Sequence, residues 1–107
     1  MISVVYHRKY HKLSIAGHAC SGEPGHDLVC ASATILAYTL AASVANMSAA
    51  KQVRDAKIHL EEGAGEISCK PVRRFEAPVT LIFDTLCAGY ELLAQNYPDN
   101  ISYEVLG

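Results

Sequence analysis

Apolar and polar positions alternate with period two near both ends of the chain and follow helical spacing in two long stretches between. Ile2, Val4 and Tyr6 fall on one side before His7-Arg8-Lys9 breaks the run, and Leu13 and Ile15 resume it. Two short strands joined by a polar hairpin connection account for this pattern. The second strand ends near Gly17. Across residues 18–26, Gly22, Pro24 and Gly25 rule out regular structure, because glycine relaxes the backbone and proline fixes φ while removing a donor; a loop is expected there. From Leu28 to Met47 the chain is rich in Ala, Leu and Val and free of Gly and Pro, with Asp27 placed as a favoured N-cap. After a polar connection containing Lys51 and Arg54, Ile58 and Leu60 alternate toward Glu61-Glu62-Gly63-Ala64-Gly65, and Ile67 and Cys69 continue beyond it, as in a hairpin. Pro78 suits the first turn of a second helix, whose apolar positions Val79, Ile82, Phe83, Leu86, Tyr90 and Leu93 run as far as Asn96. Pro98 and Asn100 stop it, and Ile101, Tyr103 and Val105 alternate as a last strand.

The order ββαββαβ predicts an α+β fold, a single layered domain over residues 1–107 with a five-stranded sheet and two long helices covering sheet surface. The order resembles a doubling of ββα, although residues 1–47 and 56–96 share no convincing identity. A chain of 107 residues buries one core and is too short for two independent ones.

Charge narrows the range of partners. The formal net charge is −2, and the densest basic groupings are Arg8-Lys9 with Lys12 and Arg73-Arg74, too sparse for neutralising a phosphate backbone; direct nucleic-acid binding is not expected. No apolar run is read as reaching the ~20 residues that cross a bilayer. Met1 leads straight into Ile2-Ser3-Val4-Val5 without the charged region, apolar stretch and cleavage site of a leader. A cytoplasmic protein without a membrane span is expected, and in a reducing compartment Cys20, Cys30, Cys69 and Cys87 are expected as thiols rather than a disulfide framework.

The chemistry concentrates in residues 17–32, GHACSGEPGHDLVCAS. With Asp27 as N-cap, Cys30 falls at the third helical position, where orphan backbone N–H groups and the positive end of the helix dipole favour a thiolate. His18 stands where the second strand ends, and the Gly-rich loop lets it fold back over the helix start. Nucleophile, base and N–H groups able to receive an oxyanion are then close together. Asp27 has two readings, as a cap for helix N–H groups and as a partner that orients His18. A rival assembly is tetrahedral zinc on His18, Cys20, His26 and Cys30, right in ligand type but matching none of the usual paired knuckles in spacing. Cys69 in a strand and Cys87 beside Leu86 read as packing positions, Tyr38 and Tyr90 as partly buried helix positions, and His7, His11 and His59 as solvent-facing.

Gly17-His18-Ala19, the Gly-containing loop, and Asp27-Leu28-Val29-Cys30-Ala31 resemble the pattern of the ribosomal-processing cysteine proteases, the Prp or YsxB-like family. The likeness extends along the whole chain to the ending Asn96-Tyr97-Pro98-Asp99-Asn100-Ile101. It implies a cytoplasmic thiol protease of ribosome biogenesis, needing no metal or other cofactor. Such an enzyme removes the N-terminal extension of a ribosomal large-subunit protein precursor after an aromatic residue. On this resemblance Cys30 is the nucleophile, His18 its base and Asp27 the supporting acid. Gly17, Ser21, Gly22 and Glu23 contact substrate, the loop Ser21–Gly25 moves over it, and the protein is a homodimer. Cys20 in that loop is unexpected for the family, and an oxidised Cys20–Cys30 pair would be an inactive resting form. A noncatalytic ribosome-associated module that binds a basic protein partner is the alternative from a different class.

Overall fold

A computed structural model describes residues 1–17 and 26–107, with His26 and Asp27 described through their backbone alone. The elements run β1 (Ile2–His7), β2 (Lys12–Ala16), α1 (His26–Ala49), β3 (Val53–Glu61), β4 (Ala64–Pro71), α2 (Glu76–Asn96) and β5 (Ile101–Leu106). They form one five-stranded sheet of order β3-β4-β2-β1-β5. Every neighbouring pair is antiparallel except β1 with β5, which run parallel. This is the α+β arrangement expected from the alternation.

One sheet face carries the core. Ile2, Val4 and Tyr6 of β1, Leu13 of β2, Ile67 and Cys69 of β4 and Ile101 of β5 are all buried. They meet Val29, Ala33, Ala37, Leu40, Val44 and Met47 of α1 and Val79, Phe83, Cys87 and Tyr90 of α2. Both helices follow the same rhythm of four, four and three residues, which keeps one stripe on the sheet. The intervening strand positions Ser3, Glu66, Lys70, Ser102 and Glu104 are exposed, so the opposite sheet face is polar. The prediction for Cys69 and Cys87 as packing residues holds, at 2% and 1% exposure. Tyr90 is wholly buried, and its hydroxyl donates to the Ala33 carbonyl at 2.9 Å. Tyr38 departs from its expected partial burial: it is 56% exposed.

The apolar character of the helices exceeds the sequence reading. By length and composition, Leu28–Ala49 with mean hydropathy 1.8 and Arg73–Asn96 with 1.3 are long and apolar enough to cross a bilayer. Their alanine content and core stripes raise the average without an uninterrupted run of large side chains. In this fold each lays its buried stripe on the sheet.

Another correction concerns His11, expected at the surface and found buried at 7% exposure. It follows the short helical turn Arg8–Tyr10 with φ 48 and ψ 56, a left-handed conformation that histidine adopts more readily than most residues. Its Nε2 lies 2.7 Å from Thr80 Oγ1, and its ring meets Phe83 edge-on at 5.8 Å. Burial lowers its pKa, with Arg8 acting in the same direction and Glu76 and Asp84 opposing. Beside it, Arg8 donates through Nε and Nη2 to the two carboxylate oxygens of Asp84, each at 3.1 Å, and the Tyr6 hydroxyl donates to Asp84 Oδ1 at 2.8 Å. The Arg8 hydrogen bonds hold the Asp84 carboxyl below its ordinary range. This cluster ties the end of β1 to α2.

Because the fold disfavours a charged His11, the unfolded chain takes up that proton first as pH falls below about 6.5. Stability therefore declines from neutral pH downward until the folded ring also titrates. Urea midpoints at pH 7 and pH 5 are expected to differ less in His11→Asn than in the parent protein. The substitution itself costs about 1 kcal/mol through the lost hydrogen bond. Equal pH slopes in the two proteins would refute the assignment.

Candidate active site

Three elements converge where α1 begins. The first is the end of β2, where Gly17 has φ +97 and donates its N–H to the Gly63 carbonyl at 2.9 Å. A Cβ at Gly17 would collide with the Met1 carbonyl oxygen, so the backbone geometry and the close approach both require glycine. The second is the β3–β4 turn. Glu61 pairs with Ala64, leaving Glu62 and Gly63 as the loop, with positive φ (81) at Gly63, the φ pattern of a type II turn. The third is α1 itself, clamped one turn beyond Cys30 by the Tyr90–Ala33 bond.

Between them lies a cleft of about 380 Å³. Cys30 and Gly17 both line it, over an apolar floor that includes Ile2, Ile15, Ala33 and Leu60, with Tyr38 at one side and residues Glu61–Gly65 forming a wall. Cys30 is half-buried. The residue immediately before His18 thus borders the same cavity as the thiol-bearing residue.

The helix begins earlier than expected, at His26, which makes Asp27 its second residue and not its N-cap, and Cys30 its fifth. By the i→i−4 rule the orphan N–H groups belong to the positions before Cys30. Cys30 therefore lies just past the first turn of α1.

Of the other expected site residues, His18, Ser21, Gly22 and Glu23 lie outside the described residues, as do Cys20 and the side chains of His26 and Asp27. The expected approach of His18 to Cys30, the Cys20–Cys30 pair and three of the four zinc candidates fall in that part of the chain. Among the described residues, no group of three His, Cys, Asp or Glu side chains is arranged to hold a metal ion. Burial pushes the Cys69 thiol up to about 11 and the Cys87 thiol up to about 12; both are held as neutral thiols inside the core. The sequence reading missed the Glu61–Glu62 wall: its alternation marked a turn there but carried no sign that the turn faces Cys30.

The family model described as cysteine protease Prp matches residues 1–102. Among solved structures, an essential ribosomal processing protease Prp from S. aureus, in complex with a substrate peptide, is 23% identical; the match covers 99% of this chain and 100% of that one with a TM-score of 0.72. The same S. aureus protease with a covalently linked product peptide matches at 22% identity, 98% and 97% coverage and a TM-score of 0.69. A protein from Streptococcus mutans matches at 22% identity, with 98% of this chain and 91% of that chain covered and a TM-score of 0.70. No curated protein matches the chain. Sheet order, helix placement and a thiol-lined cleft define a small α+β cysteine protease. The chain belongs to the cysteine protease Prp family.

Proposed function

We propose that this protein removes the N-terminal extension of a ribosomal large-subunit protein precursor, with Cys30 as nucleophile, His18 as general base and Asp27 as the acidic residue supporting His18. The observation that carries the reading is the shared cleft: Cys30 and Gly17, the residue leading into His18, border one cavity with an apolar floor. The thiolate of Cys30 attacks the scissile carbonyl carbon, and N–H groups at the start of α1 receive the resulting oxyanion. Collapse expels the amine, which takes the proton held by His18 and leaves a thioester on Cys30. His18 then draws a proton from water, whose oxygen attacks the thioester carbonyl. The new N-terminal fragment leaves as a carboxylate and the sulfur is regenerated. No cofactor takes part in this sequence.

The apolar floor suits an aromatic side chain immediately before the scissile bond. Gly17 and the segment containing Ser21, Gly22 and Glu23 contact the substrate backbone in this reading. The S. aureus structures with bound peptides support peptide binding in this fold. The working form is a cytoplasmic homodimer that makes no direct contact with nucleic acid or membrane. Leu28, Ile35 and Tyr38 of α1 and Leu81 and Leu92 of α2, each more than half exposed, offer the apolar surface that a second copy would cover.

The test is incubation with an N-terminally extended large-subunit protein, mapping the products by mass spectrometry. A single cut after an aromatic residue is expected, slowed by roughly 10²–10⁴-fold in His18→Ala. A precursor that stays intact under conditions where the protein is folded would exclude the reading and favour the noncatalytic module.

A further inference from the structure

The exposed side of α1 carries no charge along its whole length. Between Leu28 and Ala50 the chain has no Asp, Glu, Lys, Arg or His. An exposed row follows steps of three and four residues: Leu28, Ile35 and Tyr38 in the first half, Ala42, Ala45 and Ala49 in the second, with Ala31 completing the spacing. On α2, Leu81, Ala88 and Leu92 form a second exposed row. Asp84 and Glu91 stand about a quarter-turn from that row, on the flank where Asp84 meets Arg8, whereas Gly89 on the other flank faces Leu36 of α1. The hydroxyls of Thr39 and Thr85 beside the rows donate within their own helices, to the Ile35 and Leu81 carbonyls at 2.6 and 2.7 Å. Covering the two rows therefore buries no charge and strands neither hydroxyl. The α1 row lies on a segment of 22 residues, about 33 Å long at 1.5 Å per residue, and two packed helices are about 20 Å across. Roughly 650 Å² of each copy is available, near the ~800 Å² per partner of a stable interface.

We propose that a second copy of this chain covers this face, its α1 antiparallel to the first about a two-fold axis at Tyr38, and that the contact holds Tyr38 in place as a wall of the cleft. The inference rests on the cleft being the peptide site of a homodimer, and adds the surface through which the partner governs that site. In a two-fold contact, position i meets j and j meets i. With the axis at Tyr38, Leu28 meets the partner's Ala49 and Ile35 meets the partner's Ala42, so each large side chain faces a small one, as close packing requires. Parallel pairing would set leucine on leucine and alanine on alanine, holding the alanine half apart. The spacing of 3.5 residues keeps the row against a partner helix along its length. Tyr38 couples this face to the site, because it belongs to the row and also lines the cleft with Cys30. In a lone copy its side chain is more than half exposed, and a bound peptide must order it; in the pair it is already ordered.

The experiment compares the parent with Ala42→Glu, which puts a charge in the small half of the row away from the cleft, and with Ser102→Glu on the polar sheet face. Mass is read by light scattering over a dilution series. Affinity for a phenylalanine-containing peptide is measured on Cys30→Ala versions of each, and cleavage on proteins that keep Cys30. The parent and Ser102→Glu are expected to be dimers. Ala42→Glu should be a monomer with an unchanged circular dichroism spectrum and bind the peptide about two- to tenfold more weakly, the cost of ordering one side chain. Adding Ile35→Lys to Ala42→Glu should restore the dimer, because the two positions face each other across the antiparallel contact. Diluting the parent should weaken binding at the same midpoint as dissociation, a reading that depends on no variant. A parent that is monomeric throughout overturns the proposal, and one that also sediments with phosphatidylcholine vesicles assigns the face to lipid. A dimer untouched by Ala42→Glu, a monomer that binds as tightly as the parent, or a double variant that stays monomeric likewise overturns it. Equal cleavage by the parent and by monomeric Ala42→Glu leaves proteolysis standing without the partner's control. Weakened binding in the monomer with no cleavage by the parent supports the coupling and removes proteolysis.

Discussion

Cys30→Ala is expected to lose peptide-bond cleavage by at least ~10⁴-fold, because removing a nucleophile that acts as a unit with its base leaves only binding and oxyanion stabilisation. The fold should survive, since Cys30 is half-buried and at the edge of the core. Cys69→Ala and Cys87→Ala should behave in the opposite way. Each empties a fully packed site and costs stability on the order of 1–2 kcal/mol, while the folded fraction keeps its turnover. Brief alkylation near neutral pH, read by peptide mapping so that Cys20 is counted separately, gives an independent measurement. Cys30 should be modified well before Cys69 and Cys87, whose thiols burial pushes up to about 11 and 12. Turnover retained in Cys30→Ala, or Cys69 reacting first in the folded protein, would contradict the assignment.

The second large effect is predicted at Gly17. Alanine there adds a Cβ against the Met1 carbonyl oxygen and must hold φ near +97. Positive-φ strain alone costs roughly 1–3 kcal/mol, and relief by moving the chain would sacrifice the 2.9 Å bond from Gly17 to Gly63. A loss of about 3 kcal/mol in urea denaturation is the expected result. Gly65→Ala provides the contrast, because the one tight contact of its added Cβ is the Leu60 Cδ2 methyl at 3.0 Å, its other neighbours lying at ordinary van der Waals distance, and a leucine tip can turn aside. Cleavage should fall further in Gly17→Ala than the unfolded fraction explains, since the Gly17–Gly63 bond also positions the cleft wall. Equal midpoints for the two variants would remove the steric argument.

What could be read from the sequence follows from where burial is one-sided. β1, β2 and β5 bury alternate residues, so Ile2, Val4, Tyr6, Leu13 and Ile101 announce themselves by period two. β3 does not: it is an edge strand with Arg54, Lys57 and His59 exposed and an irregularity between Arg54 and Lys57. Only its Ile58–Leu60 end carries the alternation, and the strand extends back to Val53. His11 was unreadable for a different reason. Its burial is created by Thr80, 69 positions away, and by Phe83, so a local run of polar residues gave the wrong answer. The Arg8–Asp84 pair likewise spans 76 positions. At the site, the resemblance carried by GHA and DLVCA pointed to Gly17 and Cys30, and both line one cleft. The opposing wall of Glu61 and Glu62 depends on the pairing of β2 with β4, which no local pattern encodes. The helix start moved from Leu28 to His26, which already belongs to α1, within the one or two residues by which helix ends vary.

Parallel pairing of β1 with β5 decides where a fusion partner belongs. Ile2 faces Ile101 and His7 faces Leu106, so the two chain ends emerge at opposite ends of the sheet. A tag placed ahead of Met1 would leave beside Gly17 and crowd the mouth of the cavity, whereas one appended after Gly107 leaves near Lys9, at the far side. Affinity handles and surface tethers for immobilisation are therefore best carried on the C-terminus.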